Sequence, residues 1–227
     1  MIEAKTITLL GRSLTAKEHK HAGETLWVAG DQTLARAPAR VAVVGSRNAS
    51  REGLRRASKI STQLALKGVV IVSGLALGID AAAHRAAMWR TTRGRTIAVI
   101  GTPLDRCYPA EHRELQSQIA AHHLLVSPFE LGHETERGDF IRRNRVMALL
   151  AHASVIVEAG ERSGTRSHAD EQCRLGRPVF VMRSLERTEV RWPREMVEAG
   201  DATALDHVDQ VLAFLGITAS STGSTRS

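Results

Sequence analysis

Three short segments of the sequence carry residue types that could bind phosphate. They are Gly45-Ser46-Arg47, Ser73 to Asp80 and Phe140 to Arg145, and each lies at the carboxyl end of a predicted strand. Glycine lets a ligand approach the backbone closely, serine can donate a hydroxyl hydrogen bond, and arginine can hold a phosphate with two parallel N–H groups. The chemistry that these residues indicate is anion binding.

The segment from Val69 to His84, VVIVSGLALGIDAAAH, predicts a strand, a turn and a helix. Val69–Val72 is apolar and β-branched, as in a strand buried on both faces. Ser73, Gly74 and Gly78 then form a small-residue turn before a helix N-terminus, where unpaired amides and the helix dipole attract anions. The spacing is not GxGxxG, and no ribose-binding acid follows at the expected distance. A dinucleotide cofactor is therefore disfavoured.

Two ionisable side chains lie in the first turns of that predicted helix. Asp80 could act as a nucleophile or base, but an aspartate in a first helical turn commonly caps the helix and complements its dipole. His84 follows four residues later on the same helical face, so the two side chains can pair. We predict that Asp80 and His84 support the turn and helix structurally, with a catalytic dyad as the alternative.

The segment Phe140-Ile141-Arg142-Arg143-Asn144-Arg145 combines an aromatic ring with three arginines and an asparagine. Guanidinium groups suit phosphates, an amide suits a base edge, and an aromatic ring can stack on a base. The alternative is that Phe140 is a core residue and the arginines form a solvated face, just as Arg47 could be an ordinary surface arginine. Because ligands bind at the carboxyl edge of open α/β sheets, we favour a shared binding site.

The composition favours an anionic partner and excludes several classes of protein. The 227 residues suffice for one α/β domain, and 31 Lys and Arg against 24 Asp and Glu give a net charge of +7. This balance favours nucleic acid, nucleotides or a membrane surface as the partner, with a merely basic surface as the alternative.

Cys107 and Cys173 lack the spacing of a disulfide framework or a zinc site. Without a roughly twenty-residue apolar run or a signal-peptide pattern, a cytoplasmic protein that spans no membrane is expected.

Alternating strands and helices predict an α/β fold, with a mostly parallel sheet covered by helices on both faces. The predicted strands are Val41–Val44, Val69–Val72, Thr96–Ile100, Leu124–Val126, Ser154–Val157 and Pro178–Met182. The predicted helices span residues 51–67, 79–90, 111–122, 142–151, 165–175, 192–199 and 206–215.

The domain boundaries follow from the same pattern. Residues 1–39 are interpreted as an N-terminal extension packed on the core, residues 40–215 as the α/β domain, and residues 216–227 as a disordered tail of small polar residues. Within the extension, Leu26–Val28 could form a short strand. We favour packing of this segment on the main domain, because Gly30-Asp31 and Pro38 interrupt it.

An ordered set of short motifs resembles the DprA/Smf family. In chain order the motifs are VVGSR at 43–47, SGLALGID at 73–80 with AH at 83–84, TIAVIG at 96–101, LD at 104–105 with YP at 108–109, Phe140 with RNR at 143–145, VEA at 157–159 with SG at 163–164, and GRPVF at 176–180. The resemblance covers about residues 40–182. It implies an extended Rossmann-like fold.

The resemblance also implies a function. Such proteins bind single-stranded DNA without ATP, protect incoming DNA in natural transformation and help to load the RecA recombinase, usually as homodimers; they need no cofactor or metal and catalyse no reaction. Their DNA lies in a basic pocket at the carboxyl edge of the sheet. The DNA- or phosphate-binding residues predicted here are Gly45, Ser46, Arg47, Ser73, Gly74, Gly101, Phe140, Arg143, Asn144, Arg145, Ser163 and Gly164.

The chain departs from the family pattern at three places. Ile141 stands where the family usually has proline, and Ser127-Pro128-Phe129 stands where it has an SE-type motif. The segment Thr165 to His168 is polar and basic, whereas the family has small apolar residues there. These departures bear on the RecA interaction and the transformation role more than on the fold.

Two other functions compete with DNA binding. Nucleoside-monophosphate phosphoribohydrolases of the lysine-decarboxylase-like family use a GGxGTxxE motif with a catalytic glutamate. Here Gly164-Thr165 is kept, His168 takes the place of that glutamate, and Glu171 lies about one helical turn further on, where it could substitute. The other alternative is a sensor domain that binds a small nucleotide. The cluster from Phe140 to Arg145 favours a polymer as the ligand.

Overall fold

A nine-stranded sheet runs through the part of the chain that this computed structural model describes, namely residues 2–19, 23, 25–89, 94–161 and 163–217. Its strands are Ile2–Lys5 (β1), Thr25–Gly30 (β2), Arg40–Gly45 (β3), Val70–Ser73 (β4), Thr96–Val99 (β5), Leu124–Ser127 (β6), Ala153–Glu158 (β7), Val179–Met182 (β8) and Thr203–Leu205 (β9). Their order is β1-β2-β6-β5-β4-β3-β7-β8-β9. Strands β3 to β9 pair in parallel, whereas β2 pairs antiparallel with both β1 and β6.

Helices cover both faces of the sheet, as predicted. They are Thr6–Leu10 (α1), Ala16–His19 (α2), Arg51–Leu66 (α3), Ile79–Trp89 (α4), Arg113–His122 (α5), Asp139–Leu150 (α6), Gly164–Arg174 (α7), Trp192–Glu198 (α8) and Val208–Phe214 (α9). The strand alternation assigns the two faces: Val41 and Val43 of β3 pack in the cluster of α3, α4 and α9, while Ala42 and Val44 pack in the cluster of α6 and α7. The predicted α/β architecture is confirmed.

The strand order contains one reversal that determines where a ligand can bind. From β3 the chain proceeds outward through β4 and β5 to β6, and it then returns to place β7 on the other side of β3. In open α/β sheets such a reversal leaves a crevice outside the carboxyl ends of the two central strands. The loops after β3 and β7 therefore border the same crevice.

The segment Leu26–Val28 belongs to the sheet, so the interpretation that it only packs on the main domain is wrong. Strand β2 pairs with β6, with Val28 opposite Val126. Leu26 and Val28 are buried on one face, as expected for a half-buried edge region. The partner strand lies about a hundred residues away in sequence, so local punctuation could not reveal the pairing. The short strand β9 was likewise not predicted.

The predicted tail is described only at its start. Gly216 and Ile217 donate backbone hydrogen bonds to the carbonyls of Ala213 and Leu212, and so they continue the end of α9. The remaining residues of the predicted tail, 218–227, lie outside the described residues.

Ion pairs centred on the buried Glu18 join the N-terminal residues to the edge of the sheet where the parallel strands begin. The Glu18 carboxylate accepts hydrogen bonds from Arg12 and Arg177, both at 2.6 Å. Arg177 also donates to the carbonyls of Ala148 and Leu149 at the end of α6. Glu18 is 6% exposed, and hydrogen bonding by Arg12 lowers the pKa of its carboxyl to about 2.

Replacing Glu18 with glutamine is expected to lower the free energy of unfolding by about 2 kcal/mol at pH 7, because two guanidinium groups lose their shared counter-charge. The folded pKa of about 2 lies below the ordinary value of 4.5. The contribution is therefore present above about pH 4.5 and is lost as the pH falls toward 2. Urea unfolding at pH 7 and pH 3 should show a smaller difference between the two proteins at pH 3.

The matched control for this substitution is Glu198→Gln. Glu198 is exposed and lies 3.7 Å from Arg194 in a surface ion pair, for which a contribution near zero is expected. An equal loss of stability in the two variants would contradict the assigned role of Glu18.

Candidate functional site

A cleft of about 750 Å³ opens at the carboxyl edge of the sheet, over the crevice between β3 and β7. We call it the switch-point cleft. The predicted site residues that line it are Gly45, Ser46, Arg47, Phe140, Arg143, Asn144, Ser163 and Gly164. Gly74 and Gly101 line a small adjoining recess of about 40 Å³. Ser73 and Arg145 line neither space.

The loop after β3 is held by backbone hydrogen bonds on both sides. The Ser46 N–H donates to the Glu158 carbonyl at 2.8 Å, and the Ser46 carbonyl accepts from the Ile79 N–H at 3.2 Å. A Cβ at Gly45 would lie 2.6 Å from both the Glu158 carbonyl oxygen and the Ile79 side chain. Gly45 thus acts by allowing close packing of β3, β7 and α4, which presents Arg47 to the cleft.

In the turn between β4 and α4, backbone amides that the sequence suggested would be free instead form hydrogen bonds within the protein. The Ile79 N–H donates to Ser46, and the Ala76 N–H donates to the Asp80 carboxylate at 3.4 Å. Leu75 has a φ of +60°, which is uncommon for a residue with a side chain, and its carbonyl accepts a hydrogen bond from the His112 ring at 2.8 Å. Two of the amides that were expected to be free for an anion are therefore bonded within the protein, and the turn instead positions side chains.

An aromatic pair forms one wall of the switch-point cleft. The rings of Phe140 and Tyr108 lie 5.8 Å apart, and the Arg47 guanidinium lies 5.2 Å from the Phe140 ring centre, within the range of a cation–π contact. A Cβ at Gly101 would lie 2.7 Å from the Phe140 ring. Gly101 therefore makes room for this ring, a different role from the phosphate contact predicted for it.

Arg143 is buried beneath the cleft and held by the sheet. Its guanidinium donates to the Val99 carbonyl at 3.1 Å and lies 4.0 Å from the Asp80 carboxylate. Within the described chain its Nε has no hydrogen-bond partner, although this atom is buried. A Cβ at Gly74 would overlap the guanidinium, so only glycine leaves space for it.

The charges of Asp80 and Arg143 depend on each other. Burial raises the pKa of the Asp80 carboxyl, and the neighbouring Arg143 opposes that rise. Burial lowers the pKa of the Arg143 guanidinium, and Asp80 opposes that fall. Removing either group would leave the other buried without its compensating charge.

The arginine cluster on α6 is divided by helical geometry, because neighbouring residues of a helix point in different directions. Arg142 packs over the Phe129 ring at 5.2 Å, and the Arg145 Nε pairs with Glu171 at 3.4 Å, so neither lines the cleft. Asn144 does line it, but its amide donates to the Gly164 carbonyl at 3.1 Å and joins α6 to α7. Of the three arginines, Arg143 alone reaches the switch-point cleft.

Ser73 and His84 are internal hydrogen-bonding residues. The Ser73 hydroxyl donates to the Val43 carbonyl at 2.7 Å and so joins β4 to β3, which corrects its predicted contact with DNA. The His84 Nδ1 lies 2.7 Å from the Thr96 hydroxyl, and burial lowers the pKa of His84 to about 3. In the described structure no hydrogen bond joins His84 to Asp80, so the pairing expected from their spacing does not form.

The cleft also contains residues that were not predicted from the sequence. Tyr108 is 56% exposed, and Arg137 and Ile141 line the same cleft. Tyr108 could have been predicted from the sequence, because it is an aromatic residue in the loop that follows a buried strand. Arg137 lies in the irregular segment before α6, where only the tertiary structure shows its direction.

The acid–base groups near the entrance of α7 are paired with other residues of the protein. Glu171 is buried outside the described cleft lining, and its carboxylate pairs with Arg174 at 2.6 Å and with Arg145. His168 lines the cleft, its Nε2 lies 2.8 Å from the Ser154 hydroxyl, and burial lowers its pKa to about 3, so it is neutral near pH 7. Of these two side chains, only His168 therefore borders the described cleft.

The described lining of the switch-point cleft is electropositive. Its charged residues are Arg47, Arg137, Arg143 and Asp80, three guanidinium groups against one carboxylate. Among the described residues, no group of histidine, cysteine and acidic side chains is arranged to hold a metal ion. The described helices also include none with the length and apolar character needed to cross a membrane. The arginines and aromatic rings of the cleft suit an anionic ligand that also has flat apolar groups able to stack.

The sequence profile of a family described as DNA recombination-mediator protein A matches residues 12–216. The chain belongs to this family. Relatives of this chain are named Smf and DprA, which confirms the predicted family. Protein Smf of Synechocystis is 40% identical over 177 residues, covering 78% of this chain and 44% of Smf. DNA processing protein DprA of Streptococcus pneumoniae is 41% identical over 157 residues, covering 69% of this chain and 54% of that protein. The chain thus spans about half the length of these relatives.

Solved structures of family members share the fold. The X-ray structure of DprA from Streptococcus pneumoniae has a TM-score of 0.79 and 31% identity, and the match covers 93% of this chain and 73% of that chain. A DprA structure from Helicobacter pylori, described for its single-stranded DNA binding mode, has a TM-score of 0.76 and 28% identity, covering 89% and 93%. The molybdenum cofactor carrier protein of Chlamydomonas reinhardtii, at 18% identity and a TM-score of 0.54, is alike in fold alone. The predicted extended Rossmann-like fold is confirmed.

Proposed function

We propose that this member of the DNA recombination-mediator protein A family binds single-stranded DNA in the switch-point cleft. The observation that carries the proposal is the combination of three arginines with the Phe140–Tyr108 pair in one open cleft. Guanidinium groups bind backbone phosphates, and each base stacked on an aromatic ring contributes about 1–3 kcal/mol. The Helicobacter pylori DprA structure, described for its binding of single-stranded DNA, supports the same class of ligand.

Exposed apolar side chains at the rim of the switch-point cleft favour single-stranded DNA as the ligand, in preference to a single small nucleotide. Leu77 is 42% exposed, Ile141 is 48% exposed and Tyr108 is 56% exposed, and all three border the cleft or its recess. Such surfaces accept the flat faces of bases whatever their identity. We expect binding with a strong salt dependence and little sequence preference.

The same proposal extends to the wider role of the protein. We propose that it protects single-stranded DNA in the cytoplasm, acts as a homodimer and assists a RecA-type recombinase in transformation or recombination. The name of one relative, DNA processing protein DprA of Streptococcus pneumoniae, supports this role. We propose binding without catalysis, because Glu171 is engaged by Arg174 outside the cleft and His168 is neutral.

Replacing Arg47 with alanine tests the proposal most directly. Arg47 is exposed at the cleft, and removal of one guanidinium–phosphate contact is expected to weaken binding about tenfold. The salt dependence should also fall by about 0.7 in the slope of log K against log salt, the value for one contact with a single strand. Fluorescence anisotropy with labelled (dT)15 between 50 and 200 mM salt measures both quantities.

Arg85→Ala is the matched control, since Arg85 is exposed on α4, lies outside the cleft lining and carries the same charge. Equal affinities of the two variants would contradict a role for Arg47. Failure of (dT)15 to bind the native protein at low salt would overturn DNA binding itself. Binding of a nucleoside monophosphate, or its cleavage to a free base, would then indicate a small-nucleotide site.

A further inference from the structure

A second cleft, of about 550 Å³, lies beside the loop that carries Tyr108. Its walls are the loop after β5, with Arg106 and Cys107, and the helix α5, with Arg113 and Gln116. Leu125 of β6 contributes to its apolar floor. Tyr108 itself lines the switch-point cleft, so the short segment from Arg106 to Tyr108 is a wall shared by the two spaces.

Gln116 is a buried polar residue in the wall of this second cleft. The side chain is 7% exposed, and its Nε2 donates to the Arg106 carbonyl at 3.1 Å and to the Leu104 carbonyl at 3.5 Å. These bonds orient the amide, and the Thr102 hydroxyl holds the same Arg106 carbonyl at 3.1 Å. The Gln116 Oε1 is buried and has no hydrogen-bond partner in the described structure. Through the bonds that its Nε2 donates, the Gln116 amide fixes the loop that carries Arg106 against α5.

The charges of the second cleft suit a phosphate. Arg106 and Arg113 line it, both exposed, and within the described chain neither forms an ion pair. Asp105 is the acidic residue of the described lining, so two guanidinium groups face one carboxylate. The two exposed guanidinium groups can bind a backbone phosphate, and the apolar floor at Leu125 suits the flat face of a base. Together these features suit a nucleotide.

We infer that the second cleft binds a further nucleotide of the strand that occupies the switch-point cleft. Arg106 and Tyr108 are two residues apart in sequence, which limits the distance between their Cα atoms to about 7 Å. A strand that stacks on Tyr108 can therefore continue to Arg106 and Arg113 without leaving the surface. This inference rests on the proposed function and extends its binding track to α5.

The test compares a short and a long oligonucleotide on the full chain. Labelled (dT)4 is chosen to fill the switch-point cleft, and (dT)15 is long enough to reach both clefts. In the double variant Arg106→Ala/Arg113→Ala, affinity for (dT)15 is expected to fall at least tenfold, and the salt slope by about 1.4 for two lost contacts. Affinity for (dT)4 should stay within twofold of the native protein. The control is Arg85→Ala/Arg194→Ala, which removes two exposed arginines outside both clefts.

Three results would overturn the inference. The first is a (dT)15 affinity and salt slope equal to those of the control, and the second is an equal loss for both lengths, which would assign the arginines to the first cleft. The third is binding of free dTMP that depends on Arg106 and Arg113 while oligonucleotide binding does not, which would indicate an independent nucleotide site. Failure of the proposed function is distinguishable, because the native protein would then bind neither (dT)4 nor (dT)15.

Discussion

Replacing Gly74 with alanine is expected to weaken binding of single-stranded DNA about a hundredfold and to lower the free energy of unfolding by about 3 kcal/mol. The added Cβ would overlap the Arg143 guanidinium and would lie 2.7 Å from the Asp80 carboxylate. Arg143 would have to leave the Val99 carbonyl and Asp80 together. A single methyl group would thus displace a buried charge from both of its partners.

Anisotropy with (dT)15 and urea unfolding measure the two effects of Gly74→Ala. Gly138→Ala is the matched control, because a Cβ at Gly138 meets no atom within 4 Å in the described structure. The mechanism is tested by repeating the substitution in an Arg143→Met background, where the loss of stability should shrink by more than half. A full loss in that background would show that Gly74 acts through something other than Arg143.

Replacing Asp80 with alanine is expected to lower the free energy of unfolding by about 3–5 kcal/mol, because Arg143 remains buried without its carboxylate. Asp80 is 5% exposed, and Arg143 is 6% exposed. The Ala76 N–H would also lose its acceptor, which loosens the turn before α4. Urea unfolding at pH 7 measures the loss, with the exposed Asp201→Ala as the control.

The double variant Asp80→Ala/Arg143→Met decides whether the pair is responsible. Removing both charges and leaving an apolar side chain is expected to recover much of the stability lost by Asp80→Ala alone. Additive losses would contradict a pair interaction. A fully stable Asp80→Ala protein that no longer binds (dT)15 would instead give Asp80 a direct role in ligand binding.

The elements of the central sheet were predictable because each has a strong local signal. The apolar run Val69–Val72 and the glycine after it predicted β4 and its turn, and the structure has the strand at Val70–Ser73. Strand β2 has no such strong local signal, since its place in the sheet depends on pairing with β6. A short segment of this kind is decided by a distant partner and not by its own residues.

The candidate site likewise has some features that the sequence could predict and others that it could not. Parallel strands carry their following loops to one edge, so the sequence could predict that Ser46, Arg47, Ser163 and Gly164 come together. It could not predict that Arg143 turns inward while Arg142 and Arg145 turn away, because adjacent helical residues differ in direction and the sequence does not show which direction meets the sheet. For the same reason the sequence could not predict that Arg137 lines the cleft or that the Gln116 Oε1 is buried without a hydrogen-bond partner in the described structure.

By itself the sequence determined the alternation of strands and helices, the family and the edge of the sheet at which the candidate site lies. These properties depend on local periodicity and on the order of short motifs, which a single chain displays directly. Only the tertiary structure decided that Gly74 and Gly101 act by giving space to Arg143 and Phe140. The reason is physical: excluded volume and burial depend on contacts between residues distant in sequence, and those contacts exist only once the chain has folded.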